Sequence, residues 1–355
     1  MNERLKKLVS LLKEQRIDAL LVTKDVNIRY LTDFPAADSW LLVSPKKTYY
    51  ITDFRYILEA KKSLKGIGVE RCTKSLSETV AKLSGALRVK RLGFDERFLP
   101  VLYFKKLKSC CGSRIKLVSA NGLVESLREV KTPEEISRIR KAIKVNLEAF
   151  EFLKGVIRPG LSERSILDAL ESFVKGKGAT FSFAPIIASG PNSCFPHARI
   201  SERKIKSDDI VMVDAGVDVD GYKSDLTRVY FLGKIPRLVK QVYIHVQTAQ
   251  QRAIKKIKAK ATACEVDQEA RNYLTKNGLG KFFGHSLGHG VGLEIHESPT
   301  VSSKSSSVLK EGMIFTVEPA VYLPGKFGIR IEDMVLVTTN GCEVLSGNSP
   351  AQNIN

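Results

Sequence analysis

Val211-Met-Val-Asp214-Ala-Gly-Val-Asp-Val-Asp220-Gly221-Tyr-Lys-Ser-Asp225-Leu-Thr-Arg228 decides the fold of the larger part of this chain. An apolar, β-branched run closing on Asp214 reads as a strand. Asp220-Gly221 is a hairpin signal, and a second strand run follows. That return would set Asp225 beside Asp214. A carboxylate in an apolar strand is costly to bury unless it is paired or bound to a cation. Two more stretches repeat the pattern: Glu318 in Phe315-Thr-Val-Glu-Pro319 and Glu332 in Gly328-Ile-Arg-Ile-Glu-Asp333. Four such acids together with Gly288-His289-Gly290 call for a shared cation, because like charges this close do not otherwise all ionise. Four carboxylates balance two divalent ions. One imidazole among them makes an oxygen-rich donor set, suited to Mn, Co or Fe(II) rather than to a thiolate-type structural zinc.

Of the five histidines, His197, His285, His289 and His296 stand in motif-like settings, whereas His245 sits inside a helical pattern. A lone histidine is usually a satisfied core or loop residue; the acids nearby are what give these four a chemical reading. His285, four residues before His289, reads either as a partner of the ligands or as a ligand in an HxxxH pair. Cys194, three residues before His197, has no orienting acid or oxyanion motif, so a thiol nucleophile is disfavoured.

Working outward, the second half alternates helix and strand signals. Thr132, Pro133 and Glu135 form a helix start with a capping box, and an apolar stripe runs to about Leu153. Further helices are predicted after Ser162, over Leu238–Ile257 and over Ala263–Lys276. Strands are predicted over Asp209–Val217, Tyr222–Phe231, Met313–Val321 and Gly328–Val337. This is an α+β pattern of helices against an antiparallel sheet. Before it, a helix is expected over residues 3–15 and another around Leu58–Ser63. Strands are expected over Ala19–Thr23, Trp40–Val43, Thr48–Thr52 and Val89–Phe94, giving an α/β domain with a mixed sheet. Leu123–Val130 reads as a connection.

Composition limits the alternatives. The 355 residues are 43% hydrophobic and 27% charged, which suits two globular domains. Fifty-seven basic against 38 acidic side chains give a formal charge of +19. The excess lies mostly before residue 130, without a dense basic block or a nucleic-acid motif, so no nucleic-acid partner is expected. Six scattered cysteines with no CxxC pair point to reduced thiols and a cytoplasmic protein. No apolar run approaches the roughly 18 residues of a membrane helix.

Taken together, Val213-Asp-Ala-Gly216, Ser224-Asp-Leu-Thr-Arg228, Gly288-His-Gly-Val-Gly-Leu-Glu-Ile-His-Glu-Ser-Pro299, Phe315-Thr-Val-Glu-Pro319 and Arg330-Ile-Glu332 resemble the pita-bread metallopeptidases over residues 130 to about 345. That family holds Xaa-Pro aminopeptidases, Xaa-Pro dipeptidases and methionine aminopeptidases. Asp18-Ala-Leu-Leu-Val22 and Asn27-Ile-Arg-Tyr-Leu-Thr-Asp33 are similar to the creatinase-type N-terminal domain of its proline-specific branch. The resemblance implies a creatinase-like domain over 1–128 and a pita-bread catalytic domain with a curved antiparallel sheet over 129–355. It implies that Asp214, Asp225, His289, Glu318 and Glu332 bind two divalent ions, Mn first, with Co, Fe or Zn as alternatives. His197 and His296 match the family's substrate-binding and proton-handling histidines. Arg330 matches an arginine that braces the ligands, and Thr227 and His285 are expected to support them from behind.

The implied reaction is hydrolysis of the bond between an N-terminal residue and a following proline. Two cations can activate a shared water and polarise the scissile carbonyl, with Glu318 relaying the proton. Dimers are common in the family, so a homodimer is expected. Xaa-Pro dipeptidases of this family commonly place an arginine directly after the His-Glu-x-Pro segment; here Thr300 follows His296-Glu-Ser-Pro299. That favours an Xaa-Pro aminopeptidase over a dipeptidase. A methionine aminopeptidase and a non-catalytic binding module stand further behind.

Overall fold

Leu5, Leu8, Val9 and Leu12 lie on one face of α1 (Glu3–Glu14) and are buried, and the Asn2 side chain caps the helix by accepting from Leu5 N at 2.9 Å. This helix opens the first of two units, Met1–Arg128 and Glu129–Asn355, in a computed structural model that describes residues 2–347 and the backbone of 352–354. After α1 come β1 (Ala19–Val22), α2 (Asp25–Thr32), β2 (Trp40–Val43), β3 (Tyr49–Thr52), α3 (Ile57–Ser63), β4 (Gly68–Arg71), α4 (Leu76–Ala86), β5 (Arg91–Phe94), α5 (Val101–Cys111), β6 (Lys116–Ser119) and α6 (Leu123–Glu129). The strands form one mixed sheet in the order β4-β3-β2-β1-β5-β6. β1 pairs antiparallel with β2 and parallel with β5, and Leu21, Leu42, Ile51 and Leu92 fill the core beneath helices α4 and α5. The segment expected to be a connection is in fact helix α6, whose Leu123 and Val124 are buried. A two-turn helix is too short to show a full apolar period.

The second unit begins with α7 (Pro133–Val156), where Thr132 and Glu135 complete the predicted capping box. It continues through α8 (Glu163–Gly176), β7 (Thr180–Phe181), β8 (Ile186–Ser189), β9 (Ile210–Ala215), β10 (Val217–Val219), β11 (Tyr222–Lys223), β12 (Leu226–Leu232), α9 (Arg237–Lys256) and α10 (Ala263–Lys276). The last strands are β13 (Gly288–Gly290), β14 (Glu297–Val301), β15 (Ile314–Val317), β16 (Ala320–Leu323), β17 (Phe327–Arg330), β18 (Asp333–Val337), β19 (Cys342–Val344) and β20 (Gln352–Ile354). Pairing among these strands is antiparallel except between β12 and β20.

Each of the four long strands read from the sequence is two strands. The run Asp209–Val217 divides at Gly216, Tyr222–Phe231 at Ser224-Asp225, Met313–Val321 at Glu318-Pro319 and Gly328–Val337 at Ile331-Glu332. A Cβ on Gly216 would strike the Ser224 carbonyl, and Pro319 has no N–H to give a ladder. Three of the four acids therefore sit at strand breaks, and Asp214 alone lies within a strand. The Asp220-Gly221 hairpin forms as expected, with φ of 52° and 82° at its two tip residues, the backbone of a type I′ turn.

Candidate metal centre

The β9–β12 ladder sets Asp214 directly opposite Thr227. Directly paired side chains share a face, and Asp225 lies two residues before Thr227, so period-2 alternation puts all three on one side of the sheet. An isolated bridge pairs Thr227 with Glu332, bringing the β17–β18 break against the same edge. β13 lies beside β15, which delivers His289 next to Glu318. The glycines flanking His289 are required by crowding: a Cβ on Gly288 would collide with the Thr316 carbonyl, and one on Gly290 with the Ser298 carbonyl.

Asp225, His289 and Glu332 offer ligand atoms that all lie within 4.8 Å of one another. His289 Nε2 is 3.6 Å from Asp225 Oδ2 and 3.3 Å from Glu318 Oε1. Its Nδ1 faces the Gly290 carbonyl at 3.2 Å, a contact that assigns the proton to Nδ1 and leaves Nε2 as the donor atom. Asp214 is turned toward Arg330, whose Nη2 donates to its Oδ2, while the buried Asp214 Oδ1 has no hydrogen-bond partner. Glu318 Oε1 accepts from Thr316 Oγ1 at 3.1 Å, and that hydroxyl also accepts from His289 N at 3.1 Å.

The electrostatics match this crowding. Burial, then the neighbouring Asp214 and Glu318, raise Asp225 well above the usual carboxylate range. Burial, followed by Asp225, Glu318 and Asp214, does the same to Glu332. Burial pushes Glu318 up to about 8 against the pull of Arg330. Burial, and then His296, pull His289 down to about 4, so the imidazole is neutral. Burial opposes the charge of Arg330, yet Asp214, Tyr322 and Glu318 hold it cationic. Four clustered carboxyl groups, a buried Asp214 oxygen without a hydrogen-bond partner and an unprotonated imidazole nitrogen make an oxygen-rich donor set of the kind that suits divalent cations.

The remaining sequence-predicted residues fall at different depths. Thr227 is fully buried; its Oγ1 donates to Glu332 Oε2 at 2.7 Å and accepts from Arg330 Nε at 3.0 Å. Arg330 also donates to the Tyr322 hydroxyl and to the Pro196 carbonyl at 3.3 Å. His197, the residue after Pro196, is exposed, as is His296, whose ring centroid lies 4.3 Å from that of His289. His285 stands apart from the close group of Asp225, His289 and Glu332: its Nδ1 faces Ser286 O at 2.8 Å, and its ring is edge-on to Phe283. Burial pulls it down to about 4, and its Nε2 has no hydrogen-bond partner. Cys194 is buried, and His245 Nδ1 meets the Tyr273 hydroxyl at 3.1 Å.

Sequence reading missed what holds the strand ends that carry Glu318 and Glu332. Gln250 on α9 donates from Nε2 to Val317 O at 3.0 Å, Ile331 O at 3.3 Å and Asp333 Oδ2 at 3.0 Å. Those carbonyls belong to the residues just before Glu318 and Glu332. Arg228 donates to the Glu332 carbonyl and to Asp333 Oδ1 at 2.7 Å, and Ser346 donates to the same carboxylate oxygen at 2.6 Å. Thr316 could have been found, since it shares the face of β15 with Glu318 by alternation. A glutamine in an amphipathic helix carries no such signal.

The model of Metallopeptidase family M24 matches residues 137–339, and that of the Creatinase/Prolidase N-terminal domain matches residues 4–130. The chain belongs to metallopeptidase family M24. Its solved relatives in that family include the Xaa-Pro dipeptidase from Bacillus anthracis, 39% identical with a TM-score of 0.95 over 99% of both chains. The X-Pro aminopeptidase from Thermotoga maritima is 34% identical with a TM-score of 0.90 over 99% of this chain and 100% of that one. The Xaa-Pro dipeptidase of Pyrococcus horikoshii is 36% identical over 98% of this chain and 97% of its own. The architecture expected from the sequence, a creatinase-type α/β unit followed by an M24 α+β unit, is borne out. Members of this metallopeptidase family work with divalent metal ions. Among the described residues no helix is long and apolar enough to cross a membrane.

Proposed function

We propose that this M24 peptidase is an Xaa-Pro aminopeptidase, removing the N-terminal residue from peptides with proline in second position. The observation that carries the reading is the buried group of Asp225, His289 and Glu332, with Glu318 and Asp214 beside it. Asp214, Asp225, His289, Glu318 and Glu332 would hold two divalent ions, with Mn the first choice for so oxygen-rich a set. When bound, the ions supply Lewis acidity and an activated water at neutral pH. Glu318, beside His289 in the same group, would take the proton from the attacking water and hand it to the departing proline nitrogen. His296, exposed with its ring against His289, and His197, exposed next to the Pro196 carbonyl that Arg330 holds, would orient the peptide and donate to the oxygen on which negative charge develops. Arg330 and Thr227 fix Asp214 and Glu332, and His285 supports the wall behind them.

The preference for longer peptides rests on Thr300, which is exposed and pairs with His289 across β13 and β14. A dipeptide ends in a carboxylate directly after proline, and Thr300 offers it a hydroxyl where a guanidinium would form a charged pair. The rival dipeptidase reading has one feature in its favour: Arg199, exposed, lies two residues after His197. Kinetics on Xaa-Pro and Xaa-Pro-Xaa substrates with Mn(II) decide between them. Higher kcat/KM on tripeptides is expected; cleavage of dipeptides with tripeptides untouched would overturn the proposal. A homodimer in the cytoplasm completes the reading.

A further inference from the structure

We propose that the first unit carries a binding site for a small polyphosphate anion, in a cleft between the C-terminal ends of α1 and α4 and the turn joining β2 to β3. The cleft has a volume of about 520 Å³, within the range of small-molecule pockets. Five cationic residues line it, Lys13, Arg16, Lys46, Arg88 and Arg91, against a single acid, Asp18. Asp18 is already committed to backbone: its Oδ2 accepts from Lys90 N and Arg91 N, each at 2.8 Å. Lys46 Nζ donates to Leu87 O at 3.1 Å and Arg91 Nε to Arg16 O at 2.8 Å. Both contacts are to neutral carbonyls, so they leave the cations unbalanced. Among the described residues none of the five is in an ion pair.

The backbone makes the same point independently. Arg16 has φ 55° and Arg88 φ 59°, both left-handed, and each ends its helix with the same pair of hydrogen bonds. Arg16 N donates to Lys13 O and Ile17 N to Leu12 O; Arg88 N donates to Gly85 O and Val89 N to Ser84 O. This termination ordinarily uses glycine, because a side chain there is strained. The chain uses arginine at both helix ends, and both line one cleft. The following residues, Ile17 and Val89, are buried beneath it.

A guanidinium grips phosphate through two parallel N–H donors, and strongly hydrated ammonium groups complement it. A monocarboxylate would leave most of this charge unbalanced, whereas a chain of phosphates balances several cations at once. Inorganic pyrophosphate and a nucleoside diphosphate share that chemistry. They differ in whether an apolar ring system rests against Ile17, Leu87 and Val89.

The test is calorimetric titration of the full-length, metal-loaded protein with pyrophosphate and with ADP, in excess Mg(II) so that the metal centre is not stripped. The R16G/R88G variant should bind at least about tenfold more weakly, a loss of one good charged contact or more. Its thermal midpoint should not fall, since glycine suits both backbone positions. K61Q/K62Q, which removes the same charge at the end of α3, should bind like the unaltered protein. Equal affinity for the two ligands identifies the phosphates alone as the determinant, and tighter ADP binding adds the nucleoside. Absence of saturable binding at about 0.15 M salt, where surface charge is well screened, would overturn the proposal. So would equal weakening in both double variants, or unchanged affinity in R16G/R88G.

Discussion

Arg330 donates to Asp214 in the midst of the carboxyl groups of the metal centre, and through its Nε it also holds Thr227 Oγ1 at 3.0 Å. The guanidinium thus neutralises one acid of the cluster directly and steadies a second, Glu332, through one hydroxyl. Both members of the pair are almost entirely shielded from solvent. In a site this dry, removing one partner exposes the full desolvation cost of the other.

Arg330→Ala should therefore destabilise the metal-free protein by about 3–5 kcal/mol, the usual penalty for leaving a buried charge unpaired. Bound Mn(II) should restore part of that loss by taking over Asp214. Urea unfolding with and without metal measures it. An identical deficit in both conditions would show that Arg330 acts on something other than the ligands.

The raised carboxyl groups give the metal-free protein a definite pH dependence. Glu318 titrates near 8 when folded and near 4.5 as an unperturbed group, so the folded state holds its proton more tightly. Stability from this group is fully present below about pH 4.5 and is lost as pH rises through about 8. Asp225 and Glu332 act in the same direction. His289 is lowered and opposes them only below about 6.5. Unfolding midpoints should thus fall between pH 6.5 and 8.5 without metal and stay nearly level with Mn(II). Metal loading at pH 7 should also release protons, visible as a binding enthalpy that changes with buffer ionisation heat.

Gln250 reaches neither metal nor substrate, yet it ties the residues preceding Glu318 and Glu332 to one helix. Gln250→Leu should weaken metal binding by roughly 10–100-fold, as loss of groups that orient ligands commonly does. KM for a proline peptide at saturating metal should change little. Unaltered metal affinity would make this glutamine a packing residue only.

His296→Ala should lower kcat by about 10²–10³ if its ring stabilises the developing negative charge. Metal content should not change. His245→Ala, which removes a ring that meets Tyr273 on the neighbouring helix, should leave kcat intact. Similar losses in the two variants would remove His296 from the reaction.

Thr300→Arg should raise kcat/KM on Xaa-Pro dipeptides relative to tripeptides by about tenfold or more, the difference expected when a charged pair replaces a neutral contact. An unchanged ratio would place recognition of the substrate's far end elsewhere.

The chemistry of the second unit was legible in the sequence because buried charge is conspicuous there. Asp214, Asp225, Glu318 and Glu332 interrupt apolar runs, and an apolar run has no cheap way to bury a carboxylate. The long helices were equally plain, since α7 and α10 carry full apolar periods with caps at their starts. Where the strands break was not plain. Strand-forming runs lie before and after these acids, as with Ile314–Val317 and Ala320–Leu323 around Glu318, and only the pairing partner of each half shows that the ladder changes sheets between them.

Contacts far apart in sequence belonged to the tertiary structure alone. Gln250 sits 67 residues from Val317 and 81 from Ile331, and nothing local marks it as their partner. Lys13, Arg16, Lys46, Arg88 and Arg91 form no basic block along the chain, so their charge read as diffuse; two left-handed helix ends and one turn bring them to a single cleft. A sequence determines which side chains cannot be left alone in the interior. Which distant side chains answer them is decided by strand pairing and helix packing, because those set distances that the chain's own order does not contain.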